Sequence, residues 1–114
     1  MILVAGLTPA WQQIMCFPHI IPGEVNRARE THWCASGKVL NAGMALASLE
    51  ADAHTLSPVG GWAGSAIEAE FAARKIPATW IRTSTTTRVC TTLLDDAQGT
   101  TELVENAAGL TAQE

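Results

Sequence analysis

The sequence predicts an α/β fold, with helices on a parallel sheet and a smaller β element standing off it. Three observations carry that expectation. Met1-Ile2-Leu3-Val4-Ala5-Gly6-Leu7 is a short continuous apolar run of the kind that suits a central strand buried on both faces. Two stretches, about 38–50 and 63–75, repeat apolar residues at three- and four-residue steps, the period of a helix with one buried face. The last third is rich in Val and Thr and is divided by Asp96-Ala97-Gln98-Gly99, a turn between two strands. The strand–helix–strand–helix–strand order of residues 2–82 implies parallel strands joined by helical crossovers.

Taken in order, Thr8-Pro9 ends the first strand, and Trp11 to Pro22 reads as irregular, punctuated by Pro18, Pro22 and Gly23. Glu24 to Cys34 mixes Val25, Ala28 and Trp33 with Arg27, Arg29 and Glu30. That pattern predicts one or two exposed strands of a small sheet. The first helix opens at Ser36-Gly37, where the Ser36 hydroxyl is placed to cap free amides. It runs from about Lys38 to Glu50, with Val39, Ala42, Leu46 and Leu49 on one face. Ala53 to Val59 is the next strand, and Gly60-Gly61 reads as a tight strand-to-helix turn. The second helix spans about Ala63 to Lys75, with Ile67 and Phe71 inward and Glu70 paired with Arg74 outward. Ile76-Pro77 stops it. Thr79 to Arg82, Arg88 to Asp95 and Thr100 to Glu105 are strands. Thr111 and Glu114 have the form of a capping box for a helix that is signalled and not built. The expectation is therefore the N-terminal portion of a longer domain, with apolar sheet and helix surface left uncovered.

Composition narrows the function classes. A chain of 114 residues, 47% hydrophobic and 16% charged, has the make-up of one globular domain rather than of a disordered segment. Its seven Lys and Arg form no run and the net charge is −4, so a nucleic-acid partner, which needs clustered cations, is not expected. The first apolar run lacks a basic segment ahead of it and is too short to cross a bilayer. Cys16, Cys34 and Cys90 are odd in number and widely spaced, which argues against a disulfide framework or a structural zinc site. These properties lead us to expect a soluble cytoplasmic protein.

Two motifs can be set aside. Ser36-Gly37-Lys38 lacks the Ser or Thr that follows the lysine of a phosphate loop, and no glycine stands at position 32. Gly60-Gly61-Trp62-Ala63-Gly64 has the wrong spacing for a dinucleotide fingerprint. The chemistry rests elsewhere. Lys38 sits at a helix N-terminus, where backbone amides favour an anion. Asn41 offers both a donor and an acceptor to a sugar hydroxyl. Arg88 begins a strand beside a Thr-rich loop, where its fork of donors suits a phosphate. Read alone, Lys38 equally decorates a helix start, and Arg27 and Arg29 are ordinary exposed strand charges. His19, His32 and His54 show no ligand spacing, and Asp95-Asp96 reads as a turn former.

Six segments, in order and covering nearly the whole chain, carry a family resemblance. They are Thr8-Pro9-Ala10-Trp11-Gln12, Gly23-Glu24-Val25-Asn26-Arg27-Ala28, Ser36-Gly37-Lys38-Val39-Leu40-Asn41-Ala42, Val59-Gly60-Gly61-Trp62-Ala63-Gly64, Thr87-Arg88, and Gly99-Thr100-Thr101-Glu102-Leu103. This set resembles the phosphofructokinase-type (PfkB) carbohydrate kinases of the ribokinase-like superfamily. The resemblance implies the N-terminal part of a three-layer sheet-and-helix domain occupying residues 1–114, with a β lid at about 23–35. It also implies a substrate site for a sugar phosphate at Gln12, Arg27, Gly37, Lys38, Asn41 and Arg88. Lys38, Asn41 and Arg88 would hold the sugar phosphate and Gln12 a hydroxyl, while Arg27 would belong to the lid, towards a neighbouring subunit. In a full-length parent it implies phosphoryl transfer from ATP with Mg²⁺, and a homodimer through the lid strands.

The departures are informative. Gln12 replaces the Asp of the first motif, whose carboxylate accepts hydrogen bonds from sugar hydroxyls, which implies a different sugar or weaker binding. Ser36 and Val39 replace glycines of the third segment, and a Cβ at Val39 is expected to crowd the sugar. The family's Gly-x-Gly-Asp segment, which supplies the catalytic base, does not occur in these residues. The chain alone is therefore expected to bind neither ATP nor Mg²⁺ and to have no catalytic residue. The rival reading is a non-catalytic module that binds a sugar phosphate or dimerises without turnover.

Overall fold

In the computed structural model, which describes residues 1–114, the elements along the chain are β1 (Ile2–Ala5), β2 (Ala10–Phe17), β3 (Glu30–Ser36), α1 (Lys38–Ser48), β4 (Ala53–Val59), α2 (Gly61–Ala73), β5 (Ala78–Arg82), β6 (Val89–Asp95) and β7 (Gly99–Val104). The strands divide between two sheets. β1, β4 and β5 form a parallel sheet in that order, with Val4 opposite Thr55 and Ser57 opposite Trp80. Both helices cover one face of it, because Val39 and Leu40 of α1 join Ile67 and Phe71 of α2 and Val59 of β4 in a single buried cluster. α1 rides close on β4: a Cβ at Gly43 would lie 2.2 Å from Thr55 Oγ1. α2 is held over β5 by Phe71, whose ring meets Trp80 edge-on at 5.1 Å.

Several sequence-based expectations are corrected here. β1 is not buried on both faces: Ile2 and Leu3 are 48% and 58% exposed. The strand lies at the sheet's edge, and the face carrying Leu3, Leu56 and Ile81 has no helix over it. On α1 the buried residues are Val39, Leu40 and Gly43, while Ala42 and Leu49 are exposed. Ser36 does not cap α1. It closes β3 opposite Ala10, and Gly37 takes the cap position with no side-chain bond. On α2, Ile67 and Phe71 are buried and Arg74 pairs with Glu70 at 3.3 Å, as the spacing predicts. At the other end of the sequence, the Glu114 carboxylate accepts a 2.9 Å hydrogen bond from the Thr111 amide, the return bond of a capping box.

The second sheet has the order β3-β2-β6-β7, with β2 and β6 parallel and the outer pairs antiparallel. This is the sheet that the resemblance makes a lid, called the lid sheet below, and it takes in far more of the chain than residues 23–35. The stretch expected to be irregular is β2, at eight residues the longest strand, paired on both sides. Conversely, residues 24–29 are a loop and not a strand. The Asn26 side chain accepts from the Ile21 amide and donates to the Ile21 and Glu24 carbonyls, which turns the chain. Arg29 leaves the loop to form a two-pronged pair with Asp96. Within residues 23–35 the strand thus starts only at Glu30.

Asp95 ties the lid together. Its carboxylate accepts from the amides of Ile20 at 2.8 Å, Ala97 at 2.8 Å and Gln98 at 3.1 Å, with the His19 ring 3.4 Å away. The Ile20 bond is the main cause that holds this carboxyl below the usual Asp range, against the opposing effect of burial; Ala97, Gln98 and His19 assist. A carboxyl whose folded pKa is depressed stabilises the fold above its unfolded value, about 3.9. That contribution is lost as pH falls through the folded value. Asp95→Asn should therefore unfold with a shallower dependence on pH below about 4 than the wild type, measured by urea midpoints across pH. Equal slopes would contradict this role.

Candidate functional site

A cleft of about 450 Å³ opens between the lid sheet and the helix layer. Gln12 of β2, Cys34 and Ser36 of β3, Asn41 of α1, Glu70 and Arg74 of α2, Thr92 of β6 and Glu102 of β7 line it. The backbone explains the meeting. Gly37 passes so close to β2 that a Cβ would lie 2.7 Å from the Thr8 carbonyl oxygen, which holds the start of α1 against the start of β2. Asn41, one turn into α1, donates its amide to the Gly37 carbonyl at 2.9 Å and faces the same cleft as Gln12. The first turn of α1 has no side-chain cap, so its leading amides and the helix dipole favour an anion at that end.

The polar groups of the cleft are ordered. Gln12 Nε2 donates to Thr92 Oγ1 at 2.5 Å, and Thr92 Oγ1 donates to Glu102 Oε2 at 2.8 Å. Glu70 accepts from the Ala35 amide at 2.6 Å, which fixes β3 on α2, and its other oxygen holds Arg74. Burial pushes the Cys34 thiol up, Glu70 adds to this and Arg74 opposes it. Cys34 is thus a protonated wall residue and a poor nucleophile.

A second, smaller cavity of about 30 Å³ lies between Leu7, Pro9 and the Thr83–Thr87 segment. Arg88 lines this one. Its guanidinium donates to the carbonyls of Pro9 at 3.3 Å, Thr8 at 3.1 Å and Glu105 at 3.3 Å. Of five donors, three clamp backbone and two remain for an anion.

Of the residues expected to act together, Gln12 and Asn41 share the large cleft, and Gly37 follows its lining residue Ser36 without lining it. Arg88 is assigned to the neighbouring cavity, and Lys38 and Arg27 are exposed and line neither. Val39 does not crowd the cleft. Its side chain is buried in the core against Gly6, where an added Cβ would approach Val39 Cβ to 2.7 Å, because helical side chains lean back over the preceding turn. Sequence reasoning missed Thr92, Glu102, Glu70 and Arg74 as cleft residues. The turn at Asp96–Gln98 does fix Thr92 opposite Glu102, a signal present in the hairpin pattern. No group of three or more His, Cys, Asp or Glu is placed to hold a metal ion, and no helix is long and apolar enough to cross a membrane.

Comparison with known proteins sets this geometry in context. The sequence profile described as pfkB family carbohydrate kinase matches residues 2–114. No curated protein matches by sequence. Among solved structures, phosphofructokinase-2 from Escherichia coli in complex with fructose-6-phosphate superposes with a TM-score of 0.92 at 24% identity, over 99% of this chain and 38% of that one. A protein of Thermotoga maritima designated a possible 1-phosphofructokinase gives 0.88 at 19% identity, over 98% and 37%. A provisional ribokinase of Agrobacterium tumefaciens gives 0.78 at 14% identity, over 92% and 36%. The fold is thus the ribokinase-like α/β fold, and the chain spans under two-fifths of the length of these proteins.

Proposed function

Since the chain belongs to the pfkB family of carbohydrate kinases, we propose that it forms the sugar-phosphate-binding part of an ATP-dependent kinase of the phosphofructokinase or tagatose-phosphate kinase type. The observation that carries this reading is the cleft in which Gln12 and Asn41 meet beside the uncapped start of α1. Two amide side chains suit sugar hydroxyls, and free helix amides suit an anionic phosphate. In the full-length parent the reaction is transfer of the ATP γ-phosphate to a sugar hydroxyl, with Mg²⁺ and a catalytic base from outside these 114 residues. Arg88, with two donors left, serves the phosphate from the adjoining cavity, Lys38 joins it at the start of α1, and Arg27, in the loop ahead of β3, reaches towards a neighbouring subunit. A second copy is the expected partner, joined through the lid sheet that exposes Trp33 and Leu103. The inward placement of Val39 removes one of the two substitutions that favoured a module without turnover. The proposed location is cytoplasmic.

Calorimetry on this chain tests the reading directly. Fructose 6-phosphate should bind without ATP and inorganic phosphate more weakly. Asn41→Ala should weaken the sugar phosphate about tenfold, the worth of one or two hydrogen bonds. Absence of binding by every sugar phosphate tried, or an Asn41→Ala variant that binds as the wild type does, would sink it.

A further inference from the structure

We propose that Thr92 and Glu102 are positioning residues that lock the Gln12 amide with its oxygen free for the cleft, so that the site selects a ligand hydroxyl able to donate a hydrogen bond. The inference deepens the sugar-phosphate reading and rests on it for the identity of the ligand.

The order of protons along the chain carries the argument. An ionised carboxylate only accepts, so Glu102 Oε2, 2.8 Å from Thr92 Oγ1, must receive the single hydroxyl proton of Thr92. Thr92 then has only lone pairs to offer in the other direction. The group 2.5 Å away on Gln12 must be the amide nitrogen, because an amide oxygen there would face lone pairs with no proton between them. Thr92 is only 9% exposed, so water competes poorly for its hydroxyl. Nε2 is pinned at Thr92, and Oε1 is the end left without a partner in the chain. Three strands make the arrangement. Glu102 sits directly opposite Thr92 on the β6–β7 ladder, and β2 lies parallel to β6 with Ile14 opposite Thr92 and Gln12 two residues away. All three side chains line the cleft.

The same ordering explains why a carboxylate at position 12 suits this chain badly. A Glu there, which has the reach of Gln, would share the single Thr92 proton with Glu102, leaving two anions on either side of one hydroxyl. Gln12→Glu should therefore weaken sugar-phosphate binding rather than strengthen it.

Two readouts on the full 114-residue chain separate this proposal from the reading it rests on. In nitrogen-15 NMR spectra, the Gln12 side-chain amide should shift towards the position of a free glutamine in Thr92→Val, shift partly in Glu102→Gln, and stay in place in Thr92→Ser. An amide signal unchanged in both Thr92→Val and Glu102→Gln overturns the relay. In calorimetry, fructose 6-phosphate is compared with its monodeoxy and monofluoro analogues. At the hydroxyl held by Gln12, both replacements should cost about tenfold in the wild type and in Thr92→Ser, and much less in Thr92→Val. Fluorine tolerated at every position overturns the acceptor orientation, because fluorine cannot donate. Loss of all sugar-phosphate binding while the amide signal still answers to Thr92 and Glu102 overturns the sugar reading and leaves the relay standing.

Discussion

Replacing Phe71 by alanine should cost about 3–5 kcal/mol, the usual range for a fully buried phenylalanine. Phe71 is 1% exposed and belongs to the cluster that joins both helices to the parallel sheet. Its ring is held edge-on against Trp80, so truncation also strips the aromatic contact between α2 and β5. The chain has little reserve to absorb that loss, because only 20 of its 114 residues are buried. Against a typical domain stability of roughly 5–15 kcal/mol, about a fifth or more disappears. The thermal midpoint should fall by roughly 10 °C or more, and the urea midpoint with it. Leu49→Ala is the control. Leu49 is 76% exposed at the end of α1, so its loss should stay within about 0.5 kcal/mol. Equal midpoints for the two variants would mean that the core has been misplaced.

Which parts of this architecture can be read in advance depends on where the stabilising partner lies along the chain. α2 is legible because Ile67, Phe71 and the Glu70–Arg74 pair are local periodic signals, formed by residues four apart. β2 is not. Trp11, Gln12, Gln13, Ile14 and Met15 put apolar groups on both faces, so no alternation marks a strand. It exists because β3 and β6, the latter some eighty residues further on, supply its ladders. The exposure of β1 is hidden for a related reason. An all-apolar strand reads as doubly buried, and only the placement of both helices on one face leaves Leu3 in the open.

The cleft divides along the same line. Gly37 and Asn41 follow from one local segment at a helix start, and Gln12 from another beside it. Thr92 and Glu102 are within reach of hairpin register alone, but their meeting with Gln12 needs β2 parallel to β6, and parallel pairing leaves no short-range mark. Arg88 illustrates the opposite hazard. Its residue type suggests an anion grip, while most of its donors in fact hold the ends of β1's following loop and of β7's following residue.

Gly37→Ala should be the substitution that most affects fold and cleft together. Gly37 has φ 91° and ψ 153°, a region that essentially only glycine occupies. Forcing another residue there costs about 1–3 kcal/mol by itself. The new Cβ would in addition lie 2.7 Å from the Thr8 oxygen, 3.2 Å from Pro9 Cα and 3.3 Å from the Ala10 nitrogen. All three are backbone atoms, so no side chain can swing aside. Relief requires moving either the start of β2, which carries Gln12 two residues beyond Ala10, or the first turn of α1, which carries Asn41. Stability should fall by about 3 kcal/mol or more, combining strain and overpacking. Sugar-phosphate binding should fall further than the roughly tenfold loss expected for Asn41→Ala. Gly99→Ala separates the two causes, since Gly99 also has a positive φ of 95° but nothing within 4 Å of an added Cβ. It should show the strain without the collision and leave the cleft intact. If the two variants lost the same stability, and both kept the sugar phosphate, the close approach of β2 to the start of α1 would not be what builds the site.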